Sequence, residues 1–255
     1  MTVKELYSLL DARYPVHLRA EWDNDGLMLS PDANAPVRRV LVTLDVTEAA
    51  TEYAVKNGYD LVISHHPLIF RPIGSLTPEN AVPRKCVRLL QAGVSVFSFH
   101  TRLDAAVGGV NDCLASLLGL TETVPFGPLG EEMGRIGTLP SETTLADFVM
   151  KIKKVLGTPT VLFSDAYRPV RHVALLGGDG KDFVAAARAA GADTYISGRI
   201  GYNVMTDAPE NAINLIEAGH FYTEHPVTEV LRKAVNEYLP DAEAFVFTSN
   251  VIQML

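Results

Sequence analysis

Hydrophobic and polar positions along this chain follow two alternating rhythms. Residues 37–46 form an almost unbroken apolar run rich in β-branched side chains, the pattern of a strand buried on both faces. Residues 47–58 then take helical spacing and stop at Gly58, a helix-closing signal. The pair recurs as a strand over 59–64, a helix over 82–93 closed by Gly93, a strand over 94–99 and a helix over 108–120. Residues 121–134 hold two Pro and three Gly without periodicity and read as a domain boundary. The alternation then resumes. Strands are predicted over 135–140, 172–178, 193–197, 213–219 and 244–249, and helices over 143–157, 182–191 and 225–239. Short connections between strands and helices predict an α/β fold with helices on the faces of mainly parallel or mixed sheets. The similar rhythm of the two halves predicts two similar α/β lobes, without a sequence repeat strong enough to establish duplication.

Composition narrows the picture. The 255 residues are 47% hydrophobic and 20% charged, enough for a substantial core in one large or two small domains. No apolar run reaches membrane-spanning length, roughly 18 residues. The first ten residues lack the basic-then-apolar layout of a secretory signal and read as a helix, with Thr2 and Glu5 at capping-box spacing. Cys86 and Cys113 lie in amphipathic helices away from other metal-ligand types, which points to a reducing, cytoplasmic setting. A net charge of −8 gives no electrostatic footprint for nucleic acid, so the expected partners are small molecules, metals and copies of the chain itself.

Candidate chemistry gathers where strands end. His65 and His66 leave the strand over 59–64, His100 leaves the next strand with Asp104 four residues on, and His220 leaves a later strand with Glu224 at the same spacing. In open parallel sheets, ligands bind beyond the carboxyl ends of the strands. Successive side chains at a strand exit point to opposite sides, so His65 and His66 suit two neighbouring ions better than one. On a helical turn a residue four positions on shares a face with its histidine, which would let Asp104 or Glu224 bridge two ions. Nitrogen and carboxylate donors fit borderline divalent cations such as Zn, Fe, Mn, Co or Ni. Pro67 stiffens the loop after the histidine pair.

Competing readings attach to several motifs. Ser64, His65 and Asp104 could form a nucleophilic set, but the Gly-x-Ser-x-Gly elbow is absent and adjacent Ser and His side chains rarely meet from a strand. Trp22, the only tryptophan, could wall a pocket with Asn24 bonding a substrate, or could anchor a tight turn. Asp45 could approach the metals, although capping the next helix is the simpler reading. Gly177, Gly178 and Gly180 match neither phosphate-binding fingerprint and read as a tight turn.

The motifs themselves are specific. Residues 21–27, 43–45, 63–70, 100–104, 108–111 and 218–224 together resemble the NIF-three-like dinuclear metal-centre family, the type 2 GTP cyclohydrolase I-like proteins, along nearly the whole chain. The resemblance implies two α/β lobes, about 1–124 and 125–225, with residues 226–255 packing back onto the first and the metal site in the cleft between them. It leaves no room at 121–134 for the middle domain that longer members insert. It implies His65, His66, Asp104, His220 and Glu224 as ligands of two divalent metal ions, Glu224 as bridge, and His100 beside them as an extra ligand or catalytic base. It further implies a homohexamer.

By the same resemblance the chain is a metal-dependent hydrolase that opens the guanine imidazole ring of GTP and releases formate. A phosphoesterase using the same metals and a non-catalytic metal-binding scaffold are the alternatives. In one place the chain departs from the pattern. Many members carry Thr-Gly-Asp and then a Tyr-His pair, where this sequence has Ser197, Gly198 and Arg199 and then Tyr202 and Asn203. Arg199 would suit a phosphate or carboxylate, or stand as a surface loop residue.

Overall fold

The structure, a computed structural model, describes residues 1–253. Their contacts divide into two units, the first from Met1–Leu103 and Val227–Val251 and the second built around Asp104–Pro226.

The first unit opens with α1 (Val3–Arg13), where the side chain of Thr2 accepts from Glu5 N and the Glu5 side chain returns to Thr2 N, as the spacing predicts. There follow β1 (Gly26–Leu29), β2 (Arg39–Thr43), α2 (Glu48–Lys56), β3 (Leu61–Ser64), α3 (Ala81–Gln91) and β4 (Ser95–Ser98). β2, β3 and β4 are parallel, and Thr43, Ser64 and Ser98 lie level in the register. Three chain segments therefore leave the sheet at one height. The apolar runs read as buried strands are buried at every position of β3 and β4. Their side chains pack with α2 and α3 in a core that includes Leu41, Val62, Val96, Ala50 and Leu89. β1 pairs antiparallel with β4.

The division between units falls inside a short helix, α4 (Thr101–Ala105). The second unit continues with α5 (Val110–Leu118), β5 (Thr121–Phe126), β6 (Gly134–Thr143), α6 (Leu145–Leu156), β7 (Leu162–Ser164), β8 (Val170–Asp179), α7 (Val184–Ala189), β9 (Thr194–Arg199), α8 (Tyr202–Thr206), β10 (Asn214–Glu217) and α9 (His220–Glu224). Its six strands run in the order β5-β6-β8-β9-β10-β7, with β8, β9 and β10 parallel and the remaining pairs antiparallel. Alternate residues of β8 enter two cores, Val173 and Leu175 on one face and Ala174 and Leu176 on the other. Both faces of this sheet are covered, which is why its central strands read as continuous apolar runs.

The chain then returns to the first unit as α10 (Val227–Tyr238) and β11 (Glu243–Val246), which lies parallel to β2. The first sheet is thus β1-β4-β3-β2-β11. The predicted mixture of two helix-flanked α/β sheets is what the structure contains. Residues 121–134, expected to be aperiodic, instead supply the edge strand β5, whose first five residues are exposed and carry no buried face to announce it. The single-turn helices α4, α8 and α9 and the short strands β1 and β7 are too brief to show a period in sequence.

Arg102 is the largest fully buried side chain of the described residues. Its Nε and Nη2 donate to Asp25, and its Nη1 donates to Asp11 at 2.7 Å and to the Tyr14 carbonyl at 3.0 Å. A buried guanidinium is tolerable only with such complete pairing. Arg102→Met strands the buried Asp25 and is expected to destabilise the protein by about 3–5 kcal/mol in urea unfolding, with Arg102→Lys restoring little because the fork is lost.

Candidate metal centre

Two sets of donors come from the two units. In the first unit His65 and His66 follow β3 directly, and His100 follows β4 by two residues. Ligand nitrogens of the three rings lie within 4.8 Å of one another. His65 is buried, while His66 and His100 are half-buried.

Each ring is fixed through Nδ1. His65 Nδ1 donates to the Phe99 carbonyl at 2.9 Å, His66 Nδ1 to Asp45 Oδ1 at 2.7 Å, and His100 Nδ1 to Asp23 Oδ1 at 2.8 Å. With Nδ1 carrying the proton, Nε2 holds the lone pair, the tautomer that a metal ligand or general base needs. The flanking strands supply the anchors, since Phe99 follows β4, Asp45 follows β2, and β3 lies between them. The expectation that neighbouring His65 and His66 diverge is met at their anchors, which lie on opposite sides of β3. Their ring centroids are nonetheless 5.0 Å apart.

His100 is placed by a turn. Asp23 Oδ2 accepts from Thr101 N at 3.1 Å and Thr101 Oγ1 at 2.6 Å, and Asp25 Oδ2 accepts from His100 N at 3.0 Å. The side chains of Asp23 and Asp25 are wholly buried. Burial alone would raise the Asp23 pKa, but the hydrogen bonds from His100 and Thr101 outweigh it and lower the value to about 2. Asp23 is therefore a carboxylate against His100 at any physiological pH.

In the second unit His220 and Glu224 are the first and last residues of α9, one helical turn apart, with His220 Nε2 at 3.0 Å from Glu224 Oε2. The predicted shared face is observed. Carboxylate oxygens of Asp104 and Glu224 lie within 4.8 Å of each other. Asp104 and Glu224 are buried and His220 is exposed. Asn111, itself fully buried, donates to the Asp104 carbonyl at 3.2 Å and accepts from Gly177 N at 2.8 Å, tying the end of α4 to β8.

Glycine forms the floor beneath Glu224. A Cβ on Gly178 would fall 2.2 Å from Glu224 Oε1, and one on Gly198 would fall 2.7 Å from the His220 Cα. Gly178 also has φ +70°, which disfavours any other residue. The Gly177–Gly180 stretch, read as a tight turn, is thus partly the end of β8 pressed against the carboxylate.

Asp45 does not cap α2, because Thr47 does, accepting from Ala50 N. Asp45 holds His66 instead, which follows from the register of the sheet. In parallel register with Thr43 beside Ser64, Asp45 falls level with His66. Ser64 is buried with its Oγ committed to the His66 carbonyl and Ser98 Oγ, so it is no nucleophile. Asn24 Nδ2 donates to the Ile69 carbonyl at 2.5 Å, joining two loops. Arg199 and Asn203 are both exposed. Asp23, Asp25, Asn111 and Gly178 were not singled out as individual site residues from sequence, because their roles depend on partners distant along the chain.

Three histidines anchored through Nδ1 and two buried carboxylates beside a fourth histidine fit borderline divalent cations. Fold and donors define an α/β protein with residues suited to holding metal. A family profile described as Duf34/NIF3 (NGG1p interacting factor 3) matches residues 1–253. A Clostridium perfringens protein named GTP cyclohydrolase 1 type 2 homolog is 30% identical over 251 residues, covering 96% of this chain and 95% of its own. A Lactococcus lactis protein of the same name is 34% identical over 215 residues, covering 83% and 82%. The solved structure of a Bacillus cereus protein related to NIF3 matches with a TM-score of 0.89 at 24% identity, covering 100% of this chain and 99% of that one. The chain belongs to the Duf34/NIF3 family. Among the described residues no helix is long and apolar enough to cross a membrane.

Gly178→Ala combines a disfavoured backbone with a collision at Glu224. It is expected to cost on the order of 1–3 kcal/mol in urea unfolding, with the protein remaining folded at low denaturant.

Proposed function

We propose that His65, His66, Asp104, His220 and Glu224 together hold two divalent metal ions and that the protein is a metal-dependent hydrolase of nucleotide-like small molecules. The observation that carries the reading is the anchoring of His65, His66 and His100 through Nδ1, in three rings whose ligand nitrogens lie within 4.8 Å of one another. Isolated polar histidines at strand ends do not need three separate oxygen anchors, two of them carboxylates. Relatives named GTP cyclohydrolase 1 type 2 homolog support a purine nucleotide such as GTP as substrate.

Bound divalent ions supply Lewis acidity and make water nucleophilic near neutral pH. The chain's own residues do the rest. Glu224 offers two carboxylate oxygens and is the group suited to bridging. Asp45 fixes His66 and raises its basicity as a ligand. His100 moves protons at Nε2, while the Asp23 carboxylate holds Nδ1–H and stabilises the ring when it becomes cationic. In a ring-opening hydrolysis of GTP, one water adds at the imidazole carbon and breaks one C–N bond to leave a formamide, a second water breaks the other to release formate, and each departing nitrogen takes a proton. His100 fits that proton delivery. A cytoplasmic setting and a homohexameric assembly complete the reading.

Metal analysis after loading and desalting should give about two ions per chain. His65→Ala and Glu224→Ala should each lose at least one ion and all formate release from GTP. Well under one ion per wild-type chain would overturn the dinuclear centre. His100→Ala should keep its metal and lower turnover by about 10²–10⁴-fold. Full metal binding with unchanged turnover in that variant would remove His100 from the chemistry. Asp45→Asn should weaken metal binding about 10–100-fold in chelator competition without altering the unfolding midpoint, since the Asp45 side chain is 43% exposed.

A further inference from the structure

Beside His100 lies a cavity of about 600 Å³ lined by Trp22, Asn24, Phe70, Arg71 and Pro72. Its walls are unusual for a surface. Trp22 is 57% exposed and Phe70 38% exposed, so two large aromatic rings stand in water at one place. The rings meet edge to face, with centroids 6.3 Å apart and planes at 75°. Trp22 also lies 6.2 Å and Phe70 6.1 Å from the His100 ring. The corner is held rigidly. Asn24 donates to the Ile69 carbonyl, which joins the two loops, and Asp23 fixes the Trp22 loop to Thr101 and His100.

A perpendicular pair of rings forms a slot in which a flat ligand can stack on one face while meeting the edge of the other. Arg71 adds the second recognition element. Its guanidinium carbon sits 5.5 Å from the centroid of Phe70, and no carboxylate is among the described residues lining the cavity. The chain as a whole carries −8, so a cavity lined by a cation and no anion stands out against its surroundings. A guanidinium beside aromatic faces suits a ligand that is planar at one end and anionic at the other.

We infer that the Trp22–Phe70–Arg71 cavity is a binding subsite for a planar aromatic heterocycle bearing an anionic group, with the ring seated against Trp22 and Phe70 and the anion at Arg71. This subsite rests on the proposed function for the reaction it would serve, because it places the heterocycle next to His100. Its binding capacity depends only on its own three side chains, so it can be tested in protein stripped of metal.

Trp22 is the only tryptophan, so its fluorescence reports on this cavity alone. Full-length protein treated with chelator should show saturable quenching by guanosine 5′-monophosphate, about tenfold weaker quenching by guanosine and none by ribose 5-phosphate or inorganic phosphate. Arg71→Gln should weaken the nucleotide about tenfold and leave guanosine unchanged, whereas Phe70→Ala should weaken both alike by about tenfold or more. Circular dichroism of the two variants, whose substitutions are at exposed positions, checks that they fold. The inference is overturned if the nucleotide gives no saturable quenching, or if Arg71→Gln binds it as wild type does. Either result leaves the metal stoichiometry and the His65→Ala and Glu224→Ala outcomes untouched, so the two readings fail separately.

Discussion

Two buried carboxylates hold the start of α4, and the placement of the candidate chemistry depends on them. Asp23 and Asp25 lie on one short turn and between them accept from the backbone amides of His100 and Thr101, the hydroxyl of Thr101, the ring of His100 and the guanidinium of Arg102. Unpaired, either carboxylate would be prohibitively costly to bury. Paired, they fix the direction in which the chain leaves β4. His100 is set by that direction, and Asp104 follows it four residues later on the same turn of helix. The same turn carries Trp22, so the aromatic cavity and the histidine share one support.

Parallel register does for the histidine pair what this turn does for His100. Because β2, β3 and β4 end level, each neighbour of β3 can reach one of the two histidines that follow it. Side chains in a strand alternate, and a slip of one residue would present each ring to the wrong neighbour. The pairing of His65 with Phe99 and His66 with Asp45 is therefore a property of sheet order rather than of the loop. Glycine serves the second unit differently. At Gly178 and Gly198 it removes side chains so that the ends of β8 and β9 can approach Glu224 and His220 of α9 closely.

Much of this was legible in the sequence, and the division follows the range of the interactions. The apolar runs of β2, β3, β4, β8, β9 and β10 could be read because burial on both faces leaves a local record. So could the six candidate donors, since strand exits and i+4 spacing are local patterns. The support was not legible. Asp23 and His100 are 77 residues apart, and nothing near Asp23 announces its partner. Asp45 looked like a cap because a cap was needed at that point in the chain, and Thr47 two residues later met the need. Neither a buried face nor a period marks β5, because its first five residues are exposed.

β11 gives the first unit an unusual order of assembly. Its strand partner β2 lies 204 residues earlier, and Thr43 Oγ1 reaches across that separation to the Phe247 carbonyl at 2.9 Å. The whole of Asp104–Pro226 lies between them in sequence. During synthesis Asp104–Pro226 is thus made before β11 can close the first sheet. Until then β2 presents an unpaired edge of the kind that seeks any strand available. Contacts so distant along the chain also form slowly. The first sheet reaches its full strand order only once β11 has been made, so that edge of β2 stays open through most of synthesis.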